Sequence, residues 1–241
     1  MQFTLGNMQT PDRITIDFKT REEAVYDALR TAIIQGRWGP EEGLVVSRIA
    51  IDLGVSRITV ANALKRLAGE GFVYLTPHKE AVVARLDPAE IREIYLMRAE
   101  LGALALREVA PRLTDNDLAE IFGLNEELRT RAEPADRDLT AIRAADRTFH
   151  RRIYLVAGMP RLAKQLDNLA DQAEYYRARL LDLAARVVPT AEGHLPLLSA
   201  LVARDAGLAS ELMREHVLIG MRAILSMLDR GQGKNDLETP V

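Results

Sequence analysis

Between positions 21 and 35 apolar residues recur as Ala24, Val25, Ala28, Leu29 and Ala32, the three-and-four spacing that lines one face of a helix. Gly36 is placed to end it. After the turn-rich GRWGPEEG, the stretch SRIAIDLG reads as a short helix closed by Gly54. VSRITVANALKRLAGEG then opens on Ser56, whose hydroxyl can cap free helix amides, and sets Val60, Ala63, Leu64 and Leu67 on one side before Gly69 or Gly71. Here the period changes. FVYLT and AVVARL are rich in β-formers and flank PHKE, which predicts a two-stranded hairpin with a polar tip, finished near Leu86.

From DPAE onward, where an Asp precedes a Pro at a helix start, the β signal fades and amphipathic helical patterns follow one another. They predict helices near 88–110, 115–132, 138–157, 160–187, 190–204 and 206–230, punctuated by APRLTDND, AEPADRD, AGMP and VVPTAEG. Connections this short imply antiparallel neighbours. The expected fold class is therefore mainly α. A loose arm (1–20) leads into a winged helix-turn-helix DNA-binding domain (21–86), then an all-α antiparallel bundle of six or seven helices (87–230) and a disordered tail (231–241).

With 48% hydrophobic residues in 241, the chain can bury a sizeable core. Nothing apolar approaches the roughly 20 residues needed to span a bilayer, and MQFTLGNMQTPDR lacks a targeting pattern, so a cytoplasmic protein without membrane partners is expected. The absence of cysteine excludes disulfides and thiolate chemistry, leaving imidazole and carboxylate as the main metal-binding groups. Basic and acidic residues number 11 against 10 over positions 1–86 and 21 against 25 beyond, so any nucleic-acid contact must come from a local face.

Such a face is available on the third helix. Ser56, Arg57, Thr59, Asn62, Lys65 and Arg66 point away from its apolar side, and Arg57, near the N-terminus, is the foremost candidate to read a base edge. His78 and Lys79 sit at the hairpin tip, where they suit phosphate contact; a plain solvated surface would show the same residues. The other histidines fall in the bundle. Asp146 and His150, in ADRTFHRRIY, share a helix face at i and i+4, a spacing that by itself describes an ordinary ion pair. His194 begins HLPLLSALV and His216 lies in LASELMREHVLIGM, so three separate helices can converge on one point. One carboxylate and three neutral imidazoles suit Zn²⁺, Ni²⁺ or Mn²⁺ with positions left open. That donor set also describes a metal-dependent hydrolase or oxygenase, although no general base is identifiable and the DNA-binding domain has no role in that reading.

LGVSRITVANALKRLAGEGFVYLTPHKEAVVARL resembles the recognition helix and wing of the GntR family of bacterial transcription regulators. The bundle resembles that family's FCD ligand-binding domain, and the resemblance extends over about 21–230. It implies a regulator rather than an enzyme, acting as a homodimer on double-stranded operator DNA. DRTFH, EGHLPLLSAL and ELMREHV match the places where one branch of the FCD domain carries its metal ligands, implying Asp146, His150, His194 and His216. A small organic acid effector is implied beside them, with Arg98 and Tyr175 or Arg177 as contacts. There are departures. Ala61 stands where the family commonly has Arg, Glu80 where the wing tip has Gly, Glu41 where a Gly is frequent and Met159 where Asn often follows the Gly. Ala61 and Glu80 both work against phosphate neutralisation, which leaves a sensor with weakened DNA binding as an alternative.

Overall fold

Thr20 starts the first helix: its hydroxyl accepts from the Glu23 amide while the Glu23 carboxylate accepts from the Thr20 amide, so two otherwise orphan donors are satisfied reciprocally. The computed structural model describes residues 20–75, 81–85, 87–133, 138–180 and 188–235. The N-terminal unit comprises α1 (Arg21–Ile34), β1 (Gly43–Leu44), α2 (Val46–Leu53), α3 (Arg57–Gly69), β2 (Val73–Leu75) and β3 (Ala81–Val83). Gly54, at φ +62°, ends α2 in the left-handed conformation and turns the chain into α3. Ser56 caps α3 as its sequence position predicts, accepting from the Thr59 amide at 3.1 Å. Leu29, Ile33, Leu44, Val60, Leu64, Leu67 and Phe72 fill the core of this unit.

The hairpin forms, but its sheet has three antiparallel strands in the order β1-β3-β2 rather than the expected two. β1 is only two residues long, too short to leave a period in the sequence. The loop before it is fastened to the hairpin by Glu41 N–H to Val83 C=O and Val83 N–H to Glu42 C=O, both 3.0 Å. This holds Glu41 at φ +63°. His78, Lys79 and Glu80, assigned to the wing tip, lie outside the described residues.

Seven helices make up the bundle among the described residues: α4 (Pro88–Val109), α5 (Asp115–Ala132), α6 (Leu139–Val156), α7 (Pro160–Leu180), α8 (Val188–Gly193), α9 (Leu195–Val202) and α10 (Ala206–Asn235). Asp87 caps α4 through the Ala89 amide at 2.8 Å with Pro88 in the first turn, where a missing N–H costs nothing. A single 3₁₀ turn, Ala110–Arg112, follows α4. The one helix expected over 190–204 is two, α8 and α9, broken at His194. Pro196 cannot donate to the carbonyl four residues earlier and its ring crowds that carbonyl, so the helix restarts. α10 continues to Asn235, five residues into the stretch expected as a tail, while the end of the helix expected to reach 187 lies outside the described residues.

α4 packs along α10, and α7 is the shared support of the two units. The Gln172 side-chain amide donates to the Glu70 carbonyl at 2.6 Å, the Tyr175 hydroxyl donates to the Ala84 carbonyl, and Tyr176 donates to Glu90 at 2.8 Å. Phe72 meets the Tyr175 ring edge-on at 6.5 Å, and one large apolar cluster runs from α1 to α10, with a smaller one around Leu128 and Ile142. No helix among the described residues is long and apolar enough to cross a membrane.

Candidate metal and effector site

α6 buries Ile142, Phe149 and Ile153 along one stripe, and this fixes where its polar residues point. Asp146 and His150 flank the stripe, with Asp146 Oδ1 3.8 Å from His150 Nε2. The break between α8 and α9 puts His194 into the same space, its Nε2 3.7 Å from Asp146 Oδ1, and α10 supplies His216. Ring centroids of the three imidazoles are 4.8 to 5.2 Å apart, and one nitrogen from each lies within 4.8 Å of the others. The four residues singled out in the sequence are thus brought together.

Two further residues hold His194. Asn125 on α5 presents Oδ1 to His194 Nδ1 at 2.8 Å, so Nδ1 carries the proton and the Nε2 lone pair faces the cluster. Phe149 stacks on the ring at 4.1 Å and 12°, setting its plane. Burial holds the His194 imidazole at about 3 and, with His194 as a neighbouring like charge, the His216 imidazole at about 4. Burial pushes His150 well below its usual range too. All three imidazoles are therefore neutral at pH 7, the form that ligates. Asp146 Oδ1, His150 Nδ1 and His194 Nε2 are buried and make no hydrogen bond. Leaving such groups unpaired is costly, and a divalent transition metal offers them a common partner, so the donor set fits one.

A cavity of about 610 Å³ opens beside Asp146 and His150. Arg98 and Arg177 also line it, whereas Tyr175 does not; that residue instead closes the joint between the two units. Arg177 donates to the Tyr95 hydroxyl at 3.5 Å and lies 3.7 Å from Glu174. Arg98 sits over the Tyr95 ring at 4.9 Å and pairs with no carboxylate among the described residues. A guanidinium in that position is available to an acid group of a ligand.

On α3, Ser56, Arg57 and Lys65 are exposed, and Thr59 and Asn62 are half-buried. Ser56 and Thr59 join hydroxyls at 2.8 Å. Arg66, exposed on α3 as well, has its guanidinium 3.6 Å over the Tyr26 ring of α1 and its Nε 3.4 Å from Glu70, so it also ties α3 to α1. Asn125 escaped sequence reasoning although a signal existed. It falls on the stripe Ile121, Leu128, Ala132, a polar residue where helical period calls for an apolar one.

Two family models match the chain, one described as "Bacterial regulatory proteins, gntR family" over residues 21–83 and the other as "FCD domain" over 93–218. Among curated relatives, the HTH-type transcriptional repressor GlaR of Escherichia coli is 29% identical over 80% of this chain and 90% of its own. The probable D-xylose utilization operon transcriptional repressor of Paenarthrobacter nicotinovorans is 30% identical over 80% and 84%. Among solved structures, Escherichia coli McbR/YncC superposes with a TM-score of 0.74 at 24% identity, covering 88% of this chain and all of that one. A putative GntR regulator of Rhodococcus sp. RHA1 does so at 0.70 and 24%, covering 86% and 98%.

Proposed function

The chain belongs to the GntR family of bacterial transcription regulators and carries its FCD domain, and on that premise we propose a homodimeric, operator-binding regulator controlled by a metal-assisted organic acid site. The family is one of regulators, not enzymes. In this reading Asp146, His150, His194 and His216 hold one divalent transition metal per chain. The metal supplies an open position and positive charge for a carboxylate; Arg98 takes the rest of that group, with Arg177 alongside. The observation that carries the reading is the meeting of three neutral imidazoles and a carboxylate in which buried donor atoms lack any hydrogen bond.

At the other end, Arg57 at the exposed start of α3 forks onto a base edge while Ser56, Thr59, Asn62 and Lys65 meet phosphates, one α3 per half-site. A ligand changes operator affinity only by the difference in its affinity for the DNA-competent and incompetent arrangements. Native mass spectrometry of protein purified without chelator tests the assembly: a dimer mass carrying two metal ions is expected, and a metal-free monomer at micromolar concentration rejects it. Gel shifts on the DNA upstream of the gene test the other half. Arg57→Ala is expected to weaken binding by about 1–3 kcal/mol, and unchanged binding at physiological salt removes Arg57 from the reading.

A further inference from the structure

The cavity beside the histidines is not confined to the bundle. One wall is α6, another is α7, and the third is α1 of the DNA-binding unit, which contributes Arg30 and Thr31. Arg30 lies 5.3 Å from the Phe72 ring centroid and pairs with Asp171 of α7. Arg147, from α6, pairs with the same carboxylate. The Asp171 side chain is only 2% exposed and lies between two guanidinium cations from two domains, Arg147 also lying 3.8 Å from Asp167. The Arg30 Nε is buried without a hydrogen bond, its nearest paired acid oxygen being Glu70 Oε2 at 3.6 Å. Around the whole cavity six arginines (30, 98, 143, 147, 151 and 177) face four acids (146, 167, 171 and 174), an excess of two positive charges.

We propose that this cavity takes dicarboxylates, the second carboxylate binding at Arg30 and Arg147, so that a residue of the DNA-binding domain forms part of the effector site. The inference rests on the acid-binding reading above, in which the first carboxylate lies at the metal and Arg98. A fork-shaped donor suits a planar carboxylate, and the two guanidiniums around Asp171 gain a further counter-ion. The consequence is direct coupling. A ligand spanning both ends touches α1 only while α1 is docked on α7, so it binds the docked arrangement more tightly and biases the placement of α3 by that difference.

The test is calorimetry on the zinc-loaded full chain with the dicarboxylates from malonate to adipate, each against the monocarboxylate of equal carbon number. At least one diacid is expected to bind tenfold or more tightly than its partner. Arg30→Gln is expected to abolish that advantage, and Arg30→Lys, which keeps the charge, to retain part of it. Melting curves of both variants guard against loss of the fold. Monoacid binding without a diacid advantage, or an advantage that survives in Arg30→Gln, overturns the second subsite alone. Binding by neither class overturns the acid-binding reading and this inference with it.

Discussion

At the scale of single residues, the metal reading depends on which nitrogen of His194 is free, and Asn125 decides that. A partner that fixes the tautomer and ring orientation of a ligating imidazole commonly contributes ten- to a hundredfold in metal affinity. Asn125→Ala is therefore expected to weaken Zn²⁺ binding by about ten- to a hundredfold in a chelator competition, and Asn125→Asp, which keeps an acceptor, to weaken it less. Equal affinities in all three proteins would remove Asn125 from the site. The same imidazoles give the metal-free protein a pH signature. Their folded pKa values, about 3 for His194 and about 4 for His216, lie below the ordinary 6.5, so the unfolded chain binds more protons across that interval. Stability is then fully present above about 6.5 and is lost as pH falls toward 4, by on the order of a few kcal/mol. Urea melts of chelator-treated protein at pH 7.5, 6 and 5 check this, and His194→Gln should flatten the slope. A slope unaltered by His194→Gln would mean that other groups carry the acid sensitivity.

At the scale of elements, Glu41 shows how a loop can be strained by what it joins. The backbone bonds to β3 hold it at φ +63°, a conformation costing a side chain roughly 1–2 kcal/mol and glycine little. Glycine is also looser in the unfolded chain, which offsets roughly 0.5–1 kcal/mol of the gain. Glu41→Gly is thus expected to stabilise the protein by up to about 1 kcal/mol, and Glu41→Val to destabilise it, as read by denaturant midpoints. A destabilising glycine would show that the Glu41 side chain contributes more than its backbone costs. Legibility follows the same logic. α1, α3 and α4 could be read because apolar periods specify them and, for α3 and α4, local start signals do too: Ser56 and Asp87 cap the very helices that their neighbours pattern, whereas Thr20, in the stretch expected as a loose arm, caps α1 unannounced. Asp146 and His150 were legible for the same reason, being one turn apart on one helix. β1 was not, since two residues carry no period and its partner is some forty positions away. The break at His194 was written in Pro196, two places on, but the apolar run around it masks the interruption. The role of Arg30 had no local sign at all, because a residue on α1 reaches the cavity only once α1 is docked on α7.

At the scale of the molecule, the two domains are joined by more than the chain between them. Tyr175 to Ala84, Gln172 to Glu70, and Arg30 to Asp171 all cross from α7 to the DNA-binding unit, and the apolar core is continuous beneath them. A shared core of this kind makes the parts unfold together. Anything that binds the folded bundle should then protect the DNA-binding domain as well, by about 2.7 kcal/mol at a ligand concentration a hundred times Kd. For a chain of this size that corresponds to a rise in Tm on the order of 5–10 °C. Zn²⁺ is accordingly expected to raise a single melting transition of the full chain, followed both by calorimetry and by the fluorescence of Trp38, which lies in the DNA-binding unit. Removing the Tyr175 and Gln172 bonds together, as Tyr175→Phe with Gln172→Ala, should split that transition. The part reported by Trp38 should then melt at a temperature independent of Zn²⁺, while the bundle keeps its metal response. If Trp38 reports no Zn²⁺ dependence in the unaltered protein while calorimetry does, the domains fold independently. The contacts across α7 would then be too weak to carry a signal from the histidine cluster to α3.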